Sequence, residues 1–485
     1  MSVLTTAIDP RSATYLKNRS IMLEHLRELT RTGMAGPAGG ANGLSARDRV
    51  ELLVDRDTPL LELSPTSALG TGYRADAGVI SAIGVVEGRL CVIVADDDWT
   101  MDLGTPRLGT PQLSLHQAMR PPQLGASSFG TSNFGTADPE TTNPYAVWKL
   151  RRATAIARAN LVPLISLVRH RSPSVDPLFP GGTLCRDLAG LPGAGVTTIA
   201  VLFGEVTTGT AAIRDVAGHT IIVSDDPDPL RETASNCHVA ESEPEAIELA
   251  RMLIAQLVPN TNARRSAPRC PIDPPRYDPG ELIAVAPADP LVPVEPREIL
   301  ARVLDGSRFE EFDQARGMML CAGWGSIHGY PVAVISDCCG ALARAEIDKA
   351  ARFVRVIRDS GVALLLLRGA CCSPQAGTGH AEYEPELTNG AIVALLADLA
   401  VPQLTLQIGA APAGGDDPRF RFRWPGGRWD DPDDGVIDPR DTRTVLGLCL
   451  ATVTAGLHRR SQWSTARGVP SPWPASGVFQ IRGWQ

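Results

Sequence analysis

Lysine is nearly missing from this 485-residue chain: of 46 basic residues only Lys17, Lys149 and Lys349 are lysines, and the rest are arginines. That scarcity removes most candidates for Schiff-base chemistry. Aromatic residues make up only 5% of the chain while glycine and proline are frequent, so turns and close backbone packing matter. No CxxC spacing occurs among the ten cysteines. The adjacent pairs Cys338-Cys339 and Cys371-Cys372 are poor partners for each other or for one metal, so reduced thiols and a cytoplasmic location are expected. No apolar run reaches the 18 or so residues that span a bilayer, and no signal peptide opens the chain. A net charge of −8 argues against a nucleic-acid partner.

What the sequence does have is glycine and proline, 46 and 40 of them, and a repeated order of elements. Ile21, Met22, His25, Leu26 and Leu29 fall at helical spacing between Tyr15 and Gly33. A glycine-rich hinge follows, then a short helix from Ser45 to Asp55. Strands are predicted at Val79–Val86 and Leu90–Ala95 around a turn at Glu87-Gly88. After a Gly-Thr-rich loop (99–143) come a helix to Ala159, a buried strand at Leu161–Val168, a helix at Gly181–Leu191 and a strand at Thr197–Phe203. The second half repeats this order. A helix follows Pro296, strands at Leu320–Ile327 and Pro331–Ser336 flank a turn at His328-Gly329, and a helix spans Arg344–Ser360. A strand at Val362–Leu367, a helix at Thr388–Leu399 and a strand at Gln403–Ile408 complete it. Asp55 and Asp305 occupy matching positions, as do Gly88 and Gly329, so an internal duplication is the economical reading. The division expected is 1–44 for the N-terminal helix and hinge, 45–258 and 295–485 for the two domains, and 259–294 for a proline-rich linker whose composition disfavours a packed core.

The stretch from Asp433 to Gly447 is the most informative. Asp434-Gly435 makes a turn, Val436-Ile437 plugs an apolar pocket, and Asp438 or Asp441 caps a helix running to about Leu457. As a string it resembles the closing segment of the carboxyltransferase β subunits of biotin-dependent acyl-CoA carboxylases. The likeness extends to Ala46–Pro65, Val79–Asp96, Asn143–Val168, Phe179–Val223, Pro296–Ser336 and the final Gly477-Val478-Phe479. It implies an α/β fold of two tandem crotonase-like (ClpP/crotonase) ββα spiral domains.

The resemblance also implies an activity, the transfer of carboxylate from carboxybiotin to a short acyl-CoA. Biotin would come on a separate carrier chain, since the chain has no Ala-Met-Lys-Met attachment signature. Expected partners are a biotin carboxylase/carrier chain and other carboxyltransferase β chains, in a dimer to hexamer, with no nucleic acid and no membrane. Family catalysis uses paired backbone N–H groups as oxyanion holes. By position these correspond to Gly209 and Thr210 in the first half and Gly414 and Gly415 in the second. Arg169, Arg171 and Ala211 fall on the acyl-CoA side. The chain departs from the pattern at Thr210, where the family has glycine, at Asp416-Asp417 beside the second glycine pair, and in the short stretch Gly426–Pro432. These departures motivate an alternative, a catalytically impaired paralogue that partners active β chains. Weaker candidates are Asp96-Asp97-Asp98 for a divalent cation or a solvated turn, His219, His238 and His380 for acid/base work, and Glu382 with Glu384 for hydratase-like chemistry or helix capping. No metal site is expected.

Overall fold

The computed structural model describes residues 2–33, 43–69, 75–96, 144–169, 183–204, 213–224, 236–257, 270–287, 289, 292–337, 342–358, 360–369, 392, 394–397, 399–408, 419–426 and 433–466, the last nine as backbone only. The loop expected at 99–143 lies outside them, as does half of the helix expected at 388–399.

Among the described residues two seven-stranded sheets carry the fold. The first runs in chain order through β2 (Leu61–Glu62), β3 (Val79–Val86), β4 (Arg89–Asp96), β5 (Leu164–Arg169), β6 (Thr198–Phe203), β7 (His219–Val223) and β8 (Cys237–Ala240). The second runs through β1 (Ser2–Val3), β9 (Arg308–Glu311), β10 (Cys321–Ile327), β11 (Tyr330–Ser336), β12 (Ala363–Arg368), β13 (Gln403–Gln407) and β14 (Phe420–Arg423). In both, an antiparallel hairpin is followed by parallel strands. Helical crossovers supply the return path that parallel strands need. They are α3 (Pro144–Asn160) and α4 (Thr183–Gly193) in the first half and α7 (Arg344–Ile357) in the second. The parallel strands read as continuous aliphatic runs because both faces are covered; Ala363 to Arg368 is buried throughout.

The duplication is visible at the level of single hydrogen bonds. Asp55 follows helix α2 (Ala46–Leu53), and its carboxylate accepts the amides of Glu87 and Gly88 at 2.9 and 2.7 Å. Asp305 follows helix α6 (Pro296–Val303) and accepts the amides of His328 and Gly329 at 3.1 and 2.8 Å. All four turn residues have positive φ, the conformation of a two-residue hairpin turn matched to strand twist. Arg251, on helix α5 (Glu243–Leu257), donates to the Leu53 carbonyl at 2.6 Å and to Asp55 at 3.0 Å. Arg443, on helix α8 (Thr442–Ala466), makes the matching bonds to the Val303 carbonyl and Asp305 at 2.5 and 2.7 Å.

The Asp433–Gly447 stretch closes the second sheet and ties it to the first half. Val436 forms a parallel bridge with Arg423, standing where β8 stands beside β7. Asp434 is 1% exposed and takes a two-pronged bond from Arg152 of α3 at 2.7 Å on each oxygen, a geometry that suits a buried guanidinium. Ser64 donates its amide to the Asp434 carbonyl and its hydroxyl to the Asp433 carbonyl, both at 2.6 Å. Gly435 has φ 141° and lies against Pro65, where a Cβ would come within 3.3 Å of the proline ring. Ile437 is buried as the plug, whereas Val436 is half-exposed. Asp438, not Asp441, is the cap: it accepts the Arg440 amide at 2.9 Å over the 3-10 turn Pro439–Asp441 that leads into α8.

Two sequence readings change. The proline-rich linker is not excluded from the core: a 3-10 turn at Pro279–Ala284 buries Leu282, Ile283 and Ala284 at 0–4% exposure. Prolines fix the backbone but do not stop aliphatic residues between them from packing. Helix α1 (Ala13–Gly33) packs on this turn, and Asn18 donates to the Ala284 carbonyl at 3.2 Å. The short strands β7, β8, β9 and β14 were not read from the sequence. Phe420-Arg421-Phe422-Arg423 does alternate at period two, and both phenylalanines are buried.

Candidate functional site

Ligands of open α/β sheets bind outside the carboxyl ends of the parallel strands, so those ends locate the candidate site. In the first half Asp96 closes β4, Arg169 closes β5 and Phe203 closes β6. Asp96 is 3% exposed, and its carboxylate accepts the Arg169 amide at 2.5 Å. The Asp96 carbonyl accepts from the Arg49 guanidinium at 2.8 Å, and that guanidinium lies 4.8 Å from the centre of the Phe203 ring. The Arg169 side chain ion-pairs with Glu243 at the start of α5, and Glu243 also accepts the Leu44 amide at 3.3 Å. One connected set of charges thus locks the ends of three strands to α2 and α5. Asp96 is buried rather than solvated; Asp97 and Asp98 lie outside the described residues, which contain no group of three or more metal-ligand side chains.

The second half repeats the strand-end bond with different flanking groups. The Asp337 carboxylate, just past β11, accepts the Gly369 amide at 3.2 Å and stands 3.5 Å from Arg368. Burial pushes the Asp337 pKa up, and the Arg368 charge works against that rise. Ile335, Leu366, Ile392 and Leu396 line an apolar cleft beside the pair.

Of the residues expected in the site, Arg169 is described, and Glu243 holds its guanidinium. Gly209, Thr210 and Ala211, Gly414 and Gly415, and Arg171 lie outside the described residues, as do His380, Glu382 and Glu384. The first group follows β6 and the glycine pair follows β13, two strands at matching positions in their sheets. Gly204, the first residue past β6, has φ 89°, which only glycine adopts readily. His219 and His238 stack at 6.5 Å between ring centres, and burial lowers the His219 pKa. Among the described residues no carboxylate is hydrogen-bonded to either ring.

A residue that sequence reading placed only on a helix face is His25. It lies beside Gly426, just past β14, and no local pattern foretells that, because the two meet through tertiary packing alone.

A profile of the carboxyl transferase domain matches residues 230–417. The probable biotin-dependent acyl-coenzyme A carboxylase β2 subunit of Mycobacterium tuberculosis is 28% identical over 94% of this chain and 98% of its own length. The 3-methylcrotonyl-coenzyme A carboxylase β1 subunit of the same organism is 25% identical over 84% and 88%. The chain thus carries a carboxyl transferase domain and is similar along most of its length to β subunits of biotin-dependent acyl-CoA carboxylases. The crystal structure of the P. aeruginosa geranyl-CoA carboxylase β subunit superposes with a TM-score of 0.69 over 98% of this chain and 99% of that one. At 21% identity that likeness establishes the fold alone, two crotonase-like units in one chain. Among the described residues no helix is long and apolar enough to cross a membrane.

Proposed function

We propose that this carboxyltransferase-family chain moves carboxylate from carboxybiotin, borne on a separate carrier chain, to the α-carbon of a short acyl-CoA. The observation that carries the reading is the matched pair of strand exits. In sequence, Gly209-Thr210 follows β6 and Gly414-Gly415 follows β13, in halves that share the Asp55/Asp305 turn bonds and the Arg251/Arg443 ties. A transfer reaction needs two anions stabilised, the thioester enolate and the biotin anion left as carboxylate departs. One pair of backbone N–H groups per half supplies that without a side-chain base. Arg169, Arg171 and Ala211 are assigned to the acyl-CoA side. Arg169 would there act through the backbone it anchors, because its side chain is engaged by Glu243.

A second reading is favoured by Thr210, where a β-branched residue stands at a family glycine, and by the carboxylates of Asp416-Asp417. In it the chain is a non-catalytic partner of active β chains. Bicarbonate fixation into acetyl- and propionyl-CoA, with the matching biotin carboxylase and carrier present, separates the two. Acyl-CoA-dependent carboxylation supports the enzyme; none, with the chain found in complexes with active β chains, supports the partner. Thr210→Gly sharpens the comparison. In an enzyme it relieves crowding at an oxyanion donor typically worth about 100- to 1000-fold in rate, so turnover should rise. In a scaffold it changes nothing.

A further inference from the structure

In both sheets a buried carboxylate stands where the backbone ladder should continue. β4 pairs in parallel with β5 as far as Ala95 and Leu167, and β11 pairs with β12 as far as Ser336 and Leu367. The next residue on the hairpin strand is Asp96 in one half and Asp337 in the other. Their offset along the chain equals that between the turn glycines Gly88 and Gly329. In a parallel ladder of this register the next bonds would run from the Arg169 amide to the Asp96 carbonyl, and from the Gly369 amide to the Asp337 carbonyl. Each amide instead meets the aspartate side chain, at 2.5 and 3.2 Å. The Asp96 carbonyl is turned to the Arg49 guanidinium at 2.8 Å. On the other side of β5 and β12 the pairing runs on, through Arg169 with Phe203 and Arg368 with Gln407. Each sheet therefore parts at one seam, the same seam in both halves, and a carboxylate spans it. Asp96 and Asp337 are only 3% and 6% exposed. Burying a carboxylate is costly where a carbonyl would satisfy the same amide, so the bond alone does not account for them. A side chain set between strand ends also fixes their spacing, wider than the roughly 4.8 Å of a closed ladder. These are the carboxyl ends of the strands, where ligands of open α/β sheets bind.

We propose that Asp96 and Asp337 are positioning residues, each holding open the seam at which its half of the chain receives a substrate. The identity of the substrates rests on the carboxyltransferase reading: Asp96 sets the geometry for the acyl-CoA and Asp337 that for biotin. Each acts through the backbone amide it holds, not as an acid or a base.

The test uses the full chain in the reverse reaction, with methylmalonyl-CoA and free biotin as substrates, so that each half has its own KM. Asp96→Ala should raise the KM for methylmalonyl-CoA roughly 3- to 10-fold, the usual effect of one hydrogen bond, and leave that for biotin unchanged. Asp337→Ala should do the converse. Asp96→Asn and Asp337→Asn keep an acceptor oxygen and should recover most of the loss. A role in stability alone lowers the amount of active protein, and with it the apparent kcat, without moving one KM. If an alanine variant does not fold, Asp96→Ser or Asp337→Ser, which shortens the bridge, takes its place with the same one-sided expectation. Variants that leave both KM values unchanged, or raise both together, overturn the proposal even while the wild type transfers carboxylate. A wild type that transfers none removes the enzymatic reading instead, and calorimetric binding of propionyl-CoA and of biotin then decides. Loss of affinity for one ligand alone supports the seams; equal affinity in the variants, or no binding by the wild type, overturns them.

Discussion

Lys149 and Lys349 hold equivalent places in the two halves, each fully buried under a crossover helix. Lys149 donates to the carbonyls of Asp76 and Val79 at 3.2 and 2.5 Å. Lys349 donates to those of Gly317 and Leu320 at 3.3 and 2.8 Å. Each pins the turn that starts its hairpin. A compact ammonium fits between two carbonyls three residues apart, where a planar guanidinium would not. That explains why lysine survives here in a chain that otherwise uses arginine. Lys349→Met leaves two buried carbonyls without a donor. It should lower stability by about 1–3 kcal/mol in urea unfolding, while Lys17→Met at an exposed position of α1 should change little. The sequence showed the matched aspartates and turn glycines because a hairpin turn demands those residue types locally. It did not show the matched lysines, whose partners lie on another element.

At the scale of elements, the closing segment behaves as a strap between the halves. Burial pushes Asp433 up to about 6, against the pull of the Arg423 guanidinium 2.7 Å away and with the neighbouring Asp434 charge adding to the rise. A folded pKa above the unfolded one means that the folded state holds the proton more tightly. The stabilisation is full below about pH 4 and fades as pH rises through about 6. Between those limits wild-type stability should fall relative to Asp433→Asn by on the order of 1–3 kcal/mol. Chemical unfolding of both proteins across pH 4–7 checks this; parallel curves would show that Asp433 does not carry the effect. The strap's turn and plug were legible because Asp-Gly and Ile are local signals. The ties to Ser64 and Arg152 were not, since those partners lie hundreds of residues away. The β6 and β13 exits were legible from buried aliphatic runs, whereas four- and five-residue strands such as β7 and β8 carry too few side chains to set a period.

For the whole molecule, the joint between halves is where α8 crosses α3. Gly456 lies so close to the end of α3 that a Cβ would stand 2.6 Å from the Asn160 carbonyl oxygen. Gly456→Ala should therefore push the helices apart, weaken the Arg152–Asp434 tie and lower the melting temperature by several degrees, as expected for overpacking of about 1–3 kcal/mol. The same substitution should reduce any reaction that needs both halves in register more than it reduces ligand binding to one half. The central claim is that this duplicated scaffold transfers carboxylate between biotin and an acyl-CoA. Transfer is reversible, so the direct measurement is run backwards with the purified chain alone, using methylmalonyl-CoA as donor and free biotin as acceptor. The account predicts biotin-dependent formation of propionyl-CoA that increases in Thr210→Gly. Production of propionyl-CoA at the same rate with and without biotin, or none in either protein, would contradict it.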